Sequence, residues 1–307
     1  MRVEHSRAAH RAPVSPRRVG VIGLGRMGAP ICARLCAAGH AVIATDRRPE
    51  CREAALAAGA RWAPAVAALA AEVDVAITVL PGPAEVGALI AELTGSLAPG
   101  ATWIDMSTAS PAVARAIAAA ATTRGLRALD APVGGNPAAA SEGRLLCFAG
   151  AHDADLEAAR PLLATLAQEI VHAGPPGCGY AVKLLVNLLW FGQAVATAEA
   201  LALARRAGID LERLLSALGR SATASAFIAR DAPSLLHGED LASFPLARCC
   251  EQLASVLALG EELAVPLELA GIVAHLHEGA LERYGDIDGE LLGARWVAER
   301  AGVTLDS

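Results

Sequence analysis

The stretch VGVIGLGRMGAPI, residues 19–31, sets a short β-type run against a helical pattern, with glycines 23, 25 and 28 between them. Few segments restrict a fold so strongly. In this G-x-G-x-x-G spacing Gly23 permits a tight turn, Gly25 lets the backbone approach a pyrophosphate, and Gly28 lets the helix pack on the strand. The helix N-terminus then offers free N–H groups to an anion. The next β-type run, AVIATD, ends in Asp46, close to the distance at which an acidic residue meets an adenosine ribose. A dinucleotide is predicted, cradled by Gly23, Leu24, Gly25, Arg26, Met27 and Gly28, with Asp46 and Arg47 at the ribose. Asp46 suits a free 2′-hydroxyl and repels a 2′-phosphate, whereas Arg47 and Arg48 suit the phosphate. NAD or NADP is expected, the balance tipping to NAD.

From residue 18 onward, β-type runs alternate with alanine-rich helical stretches, the pattern of parallel strands with crossover helices. A helix is expected near residues 50–58, and further strands at 74–80, 102–107, 126–133, 145–150 and in EIVHAG, residues 169–174. After Gly177 the strand signals stop, and helices are predicted at 178–207, 210–218, 222–236, 247–263, 267–284 and 289–301. The fold class is therefore α/β plus all-α. A Rossmann-type dinucleotide-binding domain, 18–177, is followed by an all-helical substrate and oligomerisation domain, 178–307, and a long interdomain helix joins them. Residues 1–17, basic and polar, read as a mobile tail.

Composition excludes several function classes. At 307 residues and 54% hydrophobic, the chain can bury a large core. A net charge of -6, with no long basic run beyond the N-terminus, argues against nucleic acid or an anionic membrane and leaves a small soluble molecule as the partner. The apolar run at 184–191 is interrupted by Asn187 and falls far short of the roughly 20 residues of a membrane span. Seven cysteines, an odd number without paired C-x-x-C groups, read as reduced core thiols of a cytoplasmic protein. His275 and His277 are two apart on a predicted helix and face different directions, so no metal site is expected.

Lys183 is the only lysine, and every other cationic residue is arginine. A buried amine can have its pKa lowered towards neutrality and then accept a proton, which a guanidinium cannot do. Lys183 is accordingly the candidate general acid/base. Asn187, four residues on, projects from the same helix face.

Five segments, VGVIGLGRMG, ITVLPGPAEV, WIDMSTASP, DAPVGGNPAAASEGRL and GCGYAVKLLVN, occur in that order across residues 19–187. Together they resemble the β-hydroxyacid dehydrogenase family, which includes 3-hydroxyisobutyrate dehydrogenase and tartronate semialdehyde reductase. The resemblance implies that Leu80 and Pro81 border the cofactor, that Ser107 and Thr108 lie by the nicotinamide, and that the Lys183 ammonium meets the reacting oxygen, with Asn187 orienting substrate or lysine. It also implies a homodimer or homotetramer that interconverts the hydroxyl and carbonyl of a small β-hydroxyacid-like substrate.

Two departures stand out. Gly134 occupies the place of the family's substrate-binding serine and Asn136 that of its second glycine, which leaves backbone N–H groups at Gly134 and Gly135 and the Asn136 amide to hold the substrate in a wider pocket. Glu251 and Gln252 align with a Lys-Asp pair whose lysine helps hold the cofactor. Glu251 is then either a solvated helix residue or an acceptor for a substrate ammonium. Trp190, seven residues beyond Lys183, is a further candidate for the cleft wall. The altered loop also suggests an imine reductase-like C=N reduction, against which Lys183 argues because such relatives generally lack the lysine. A dinucleotide-binding module without catalysis is the third reading.

Overall fold

The computed structural model describes residues 15–242 and 244–306. The tail expected at 1–17 lies outside the described residues except for 15–17, and there Arg17 is already tied to the sheet, its carbonyl accepting the Ala41 N–H at 3.0 Å.

Among the described residues nine strands form one sheet: β1 (Arg18–Ile22), β2 (Ala41–Thr45), β3 (Arg61–Trp62), β4 (Val75–Thr78), β5 (Thr102–Asp105), β6 (Arg127–Asp130), β7 (Val133–Gly134), β8 (Leu145–Gly150) and β9 (Ala167–Gly174). The first six are parallel in the order β3-β2-β1-β4-β5-β6, and β8 then runs antiparallel to β6. Val19, Val21, Ile77, Trp103 and Ile104 have no exposed surface, as expected of strands covered on both faces. The single strand expected at 126–133 is divided into β6 and β7. Pro132, which has no N–H to give to a ladder, lies in the break, and beyond it the chain pairs antiparallel with β8.

Helices α1 (Gly28–Ala37), α2 (Cys51–Ala57), α3 (Val66–Ala70), α4 (Pro83–Ser96), α5 (Pro111–Thr123), α6 (Pro137–Glu142) and α7 (Asp153–Leu166) cover the sheet. Two apolar clusters, one around Ile31 and Leu35, the other around Leu69 and Trp103, fill the space between them. Strand order reverses between β1 and β4, and the crevice beyond their carboxyl ends is where such sheets bind ligands.

The remainder is helical: α8 (Cys178–Arg206), α9 (Leu211–Leu218), α10 (Leu246–Glu262), α11 (Glu268–Tyr284) and α12 (Leu292–Arg300), around a core that includes Phe191, Phe227, Leu246 and Leu292. The helix expected at 222–236 is replaced by a π-type turn at Phe227–Asp231 and a 3-10 turn at Ala232–Leu236. Pro233 removes the N–H that a regular α-helix would need there. At 29 residues α8 is, by length and composition, long and apolar enough to cross a membrane, which the shorter run read from the sequence was not. Its two ends are built into different domains.

Candidate active site

The glycine-rich loop is shaped as its spacing requires. Gly23 has φ +92°, and a Cβ there would strike the Val79 carbonyl; a Cβ on Gly28 would overlap the Gly23 carbonyl oxygen. A Cβ on Gly25, in contrast, would meet nothing within 4 Å. That glycine keeps a space open rather than relieving a clash, which fits a loop that admits a pyrophosphate against its backbone. Leu24 and Gly28 are buried, Met27 is half-buried, and Arg26 points outward.

Asp46 closes the loop from β2. Its carboxylate accepts the Leu24 N–H at 2.6 Å and the Arg48 N–H at 2.8 Å, and the Arg48 guanidinium lies over it at 3.2 Å. Burial opposes its ionisation, but the Arg48 guanidinium and the two N–H groups outweigh that and hold the carboxyl below its usual range. Arg47 is exposed beside it.

The segments expected at the nicotinamide are joined by a buried polar chain. The Trp103 indole donates to the Thr78 hydroxyl (2.8 Å), which donates to Asp105 (2.5 Å); Asp105 accepts the Ser107 N–H (2.7 Å), and the Ser107 hydroxyl accepts the Leu80 N–H (2.8 Å). Ser107 is thus a brace between the two loops, buried with 3% of its surface exposed. Leu80 and Thr108 are half-buried and Pro81 is exposed.

Lys183 lies in the second turn of α8. Burial pushes its amine down to about 8 from 10.5, while the Glu290 carboxylate pulls the other way. Asn187, one turn on, donates its side-chain amide to the Gln252 oxygen, joining α8 to α10. Trp190 stacks edge-on against Phe191 and Phe227 and gives its N–H to Asp231 at 2.8 Å, so its polar atom is spent inside the helical domain.

Gly134 pairs with Leu146 across β7 and β8. A Cβ on it would meet Leu146 and Phe148 at 3.7 Å, ordinary contact, so a side chain would fit there. Gly135 has φ +124°, a conformation that needs glycine. Asn136 caps α6 by accepting the Ala139 N–H at 2.9 Å, which leaves its exposed NH2 group to donate.

Glu251 is bound to Arg248, one turn earlier on α10, and both press on Gly82, where an added Cβ would lie 2.6 Å from the arginine and 2.9 Å from the carboxylate. The other arm of Arg248 faces Glu85 of α4 at 3.6 Å. The acid at 251 is therefore neutralised by a neighbouring guanidinium that reaches the 80–82 loop itself. Arg26 makes a second link between the domains, donating to the Ala242 carbonyl at 2.5 Å and pairing with Asp288. Both partners belong to two facing segments, 240–242 with 244–246 on one side and 287–291 on the other, joined by Leu246 N–H to Ile287 and Leu291 N–H to Asp240. Glu290 sits on the second of these.

Arg248, Glu290 and Asp130 are not reached by the sequence reasoning. Arg248 was signalled by its three-residue offset from Glu251, but the other two meet Lys183 and its helix only through tertiary structure. No group of three or more His, Cys, Asp or Glu able to hold a metal occurs among the described residues, and the seven cysteines are unpaired.

Comparison with known proteins agrees with this geometry. Residues 18–174 match the family model described as the NAD binding domain of 6-phosphogluconate dehydrogenase, and residues 177–291 that described as NAD-binding of NADP-dependent 3-hydroxyisobutyrate dehydrogenase. The NAD-dependent L-serine dehydrogenase of Pseudomonas aeruginosa is 37% identical over 208 residues, 67% of this chain and 70% of that protein. The 2-(hydroxymethyl)glutarate dehydrogenase of Eubacterium barkeri is 31% identical over 266 residues, 85% of this chain and 88% of its own length. The solved structure of Mycobacterium tuberculosis 3-hydroxyisobutyrate dehydrogenase with L-serine has a TM-score of 0.84 at 26% identity, covering 93% of this chain and 99% of that one. Fold and relatives define an NAD(P)-dependent oxidoreductase acting on CH–OH groups. The chain belongs to the β-hydroxyacid dehydrogenase family, of the 3-hydroxyisobutyrate dehydrogenase type.

Proposed function

We propose that the chain oxidises the hydroxyl of a small β-hydroxyacid, with Lys183 as the general base and, in reverse, the general acid. The observation that carries this reading is the chain's only amine, placed in the second turn of α8 beside the Glu290 carboxylate and brought by desolvation to a pKa of about 8. When bound, the nicotinamide supplies the hydride acceptor. Neutral Lys183 takes the hydroxyl proton at Nζ, and its ammonium then stabilises the product oxygen. Asn187, fixed by Gln252, holds substrate and lysine in register. The N–H groups of Gly134 and Gly135 and the Asn136 amide bind the substrate carboxylate, and the space beside Gly134 admits a larger substituent than a serine there would.

Asp46 favours NAD, since a 2′-phosphate would have to displace an anion already bonded to Leu24 and Arg48. Glu251 is committed to Arg248, so recognition of a substrate ammonium at that position loses its basis. The exposed apolar residues Leu185, Val186, Leu189 and Leu203 of α8 suit burial against a second copy in a homodimer or homotetramer. The unpaired thiols suit a reducing, cytoplasmic setting.

The test follows nicotinamide absorbance with L-serine, 3-hydroxyisobutyrate and 2-(hydroxymethyl)glutarate, each with NAD and NADP, for wild type and Lys183→Met. Turnover by wild type alone, with cofactor still bound by the variant, supports the reading. Equal turnover by the variant would remove Lys183 from the chemistry, and better turnover with NADP would reverse the cofactor preference.

A further inference from the structure

Strand β6 ends at Asp130, and the chain returns to it at the start of α8. One oxygen of the carboxylate accepts the Gly177 N–H at 2.8 Å and the other accepts the Tyr180 N–H at 2.9 Å. These N–H groups belong to the first turn of the helix, where no intrahelical partner exists. The aspartate is buried, and its surroundings are cleared for it: an added Cβ would lie 2.5 Å from its Oδ1 on Gly150 and 2.7 Å from its carbonyl on Gly179. Gly177 enters the helix at φ +100°. Gly150 leaves room for the carboxylate, Gly179 for the Asp130 carbonyl, and with the two N–H bonds they seat the first turn of α8 on the end of β6. Lys183 follows Tyr180 by three residues on that same helix.

We propose that Asp130 is a positioning residue for Lys183, the anchor that fixes the first turn of the helix from which its amine projects. This inference rests on the acid/base reading of Lys183. Its chemical basis is the symmetry of a carboxylate: two equivalent oxygens meet two N–H donors, whereas an asparagine would offer one oxygen and turn an NH2 group on the second donor. Stability alone does not account for the charge. Burial pushes the Asp130 carboxyl up to about 6; the N–H bonds oppose that shift, and the Asp105 carboxylate adds to it. The ionisable groups around it, Asp105 from β5, Cys147 from β8 and Tyr180 from α8, include no cation. The anion is kept at some cost to the fold, as positioning groups often are.

The test compares wild type with Asp130→Asn and with Gly150→Ala, whose methyl displaces the carboxylate without removing it. Two quantities are read: the kcat and KM values, and the pH dependence of Lys183 labelling by an amine reagent, resolved by peptide mapping. Because Lys183 is the only lysine, labelling reports on its amine without any turnover. In folded variants kcat should fall about 10- to 100-fold with cofactor KM little changed, the scale on which misplacing a reacting group acts. The labelling midpoint should rise as the loosened helix gives the amine more water. The wild type should lose kcat as Asp130 takes up a proton near pH 6, and this limb should be absent from Asp130→Asn. Unchanged kcat and an unchanged labelling curve in either folded variant overturn the proposal. Shifted labelling in a protein that oxidises no hydroxyacid would refute the dehydrogenase reading and leave the anchor standing.

Discussion

Arg26 of the glycine-rich loop is paired with Asp288 of the helical domain, so the segment that cradles the cofactor is held from across the domain boundary. The pair is half exposed, and its direct worth is within about 1 kcal/mol. Its effect should therefore appear in ligand binding more than in stability. For Arg26→Ala the expected result is a melting temperature lowered by no more than about 4 °C, with cofactor Kd raised roughly three- to tenfold, the equivalent of about 1 kcal/mol. Fluorescence titration with the reduced cofactor measures the second quantity. An unchanged Kd would show that the loop holds its shape without the pair.

Gly25 and Gly28 should separate folding from binding. Gly28→Ala forces a methyl into the Gly23 carbonyl and is expected to lower thermal stability by several degrees. Gly25→Ala places its methyl in open space, so the ligand-free protein should melt like the wild type while cofactor affinity falls about tenfold or more. Paired melting and binding curves decide. Wild-type affinity in Gly25→Ala would place the pyrophosphate elsewhere.

The Lys183 pKa should govern the alkaline rise of activity. In oxidation kcat/KM should increase with pH through about 8, because only the neutral amine accepts the proton. Glu290 raises that pKa, so Glu290→Gln should move the rise to lower pH. Stability follows the same linkage: the folded pKa lies below the unfolded value, the unfolded chain binds more protons between about 8 and 10.5, and stability rises across that window. A pH profile that Glu290→Gln leaves in place would separate the two groups.

Leu189 is 66% exposed on a helix stretch, 184–198, that has no charged residue. Leu189→Glu should dissociate the proposed dimer with little change in helix content, which sedimentation would show as a fall in mass. A wild type that sediments as a monomer at assay concentration would rule out the association.

Local pattern carried most of the fold. Glycine spacing and β-type runs placed β1, β2, β4, β5 and β6, because each is an apolar run punctuated by turn residues, whereas the two-residue β3 (Arg61–Trp62) carries no such run, and Asp46 was legible from its distance to the loop. The break at Pro132 and the irregular 227–236 segment were harder, since a proline changes hydrogen bonding without disturbing the apolar pattern around it. Within the site, the isolation of Lys183 among arginines pointed to it directly. Asp130 and Glu290 had no such mark: one lies 47 residues and the other 107 from the atoms they serve, and burial rather than spacing gives them their roles.

Helix α8 belongs to both domains at once. Its first turn is bolted to β6 through Asp130, while from Phe191 onward it lies in the core of the helical domain. A continuous helix of that kind is an axle, with no break between the turn seated on β6 and the stretch packed from Phe191 onward. The glycine-rich loop is held to the helical region separately, through Arg26 on Ala242 and Asp288. The amine of Lys183 is thus carried on a shaft fixed at both ends, independent of the side contact that Arg26 makes.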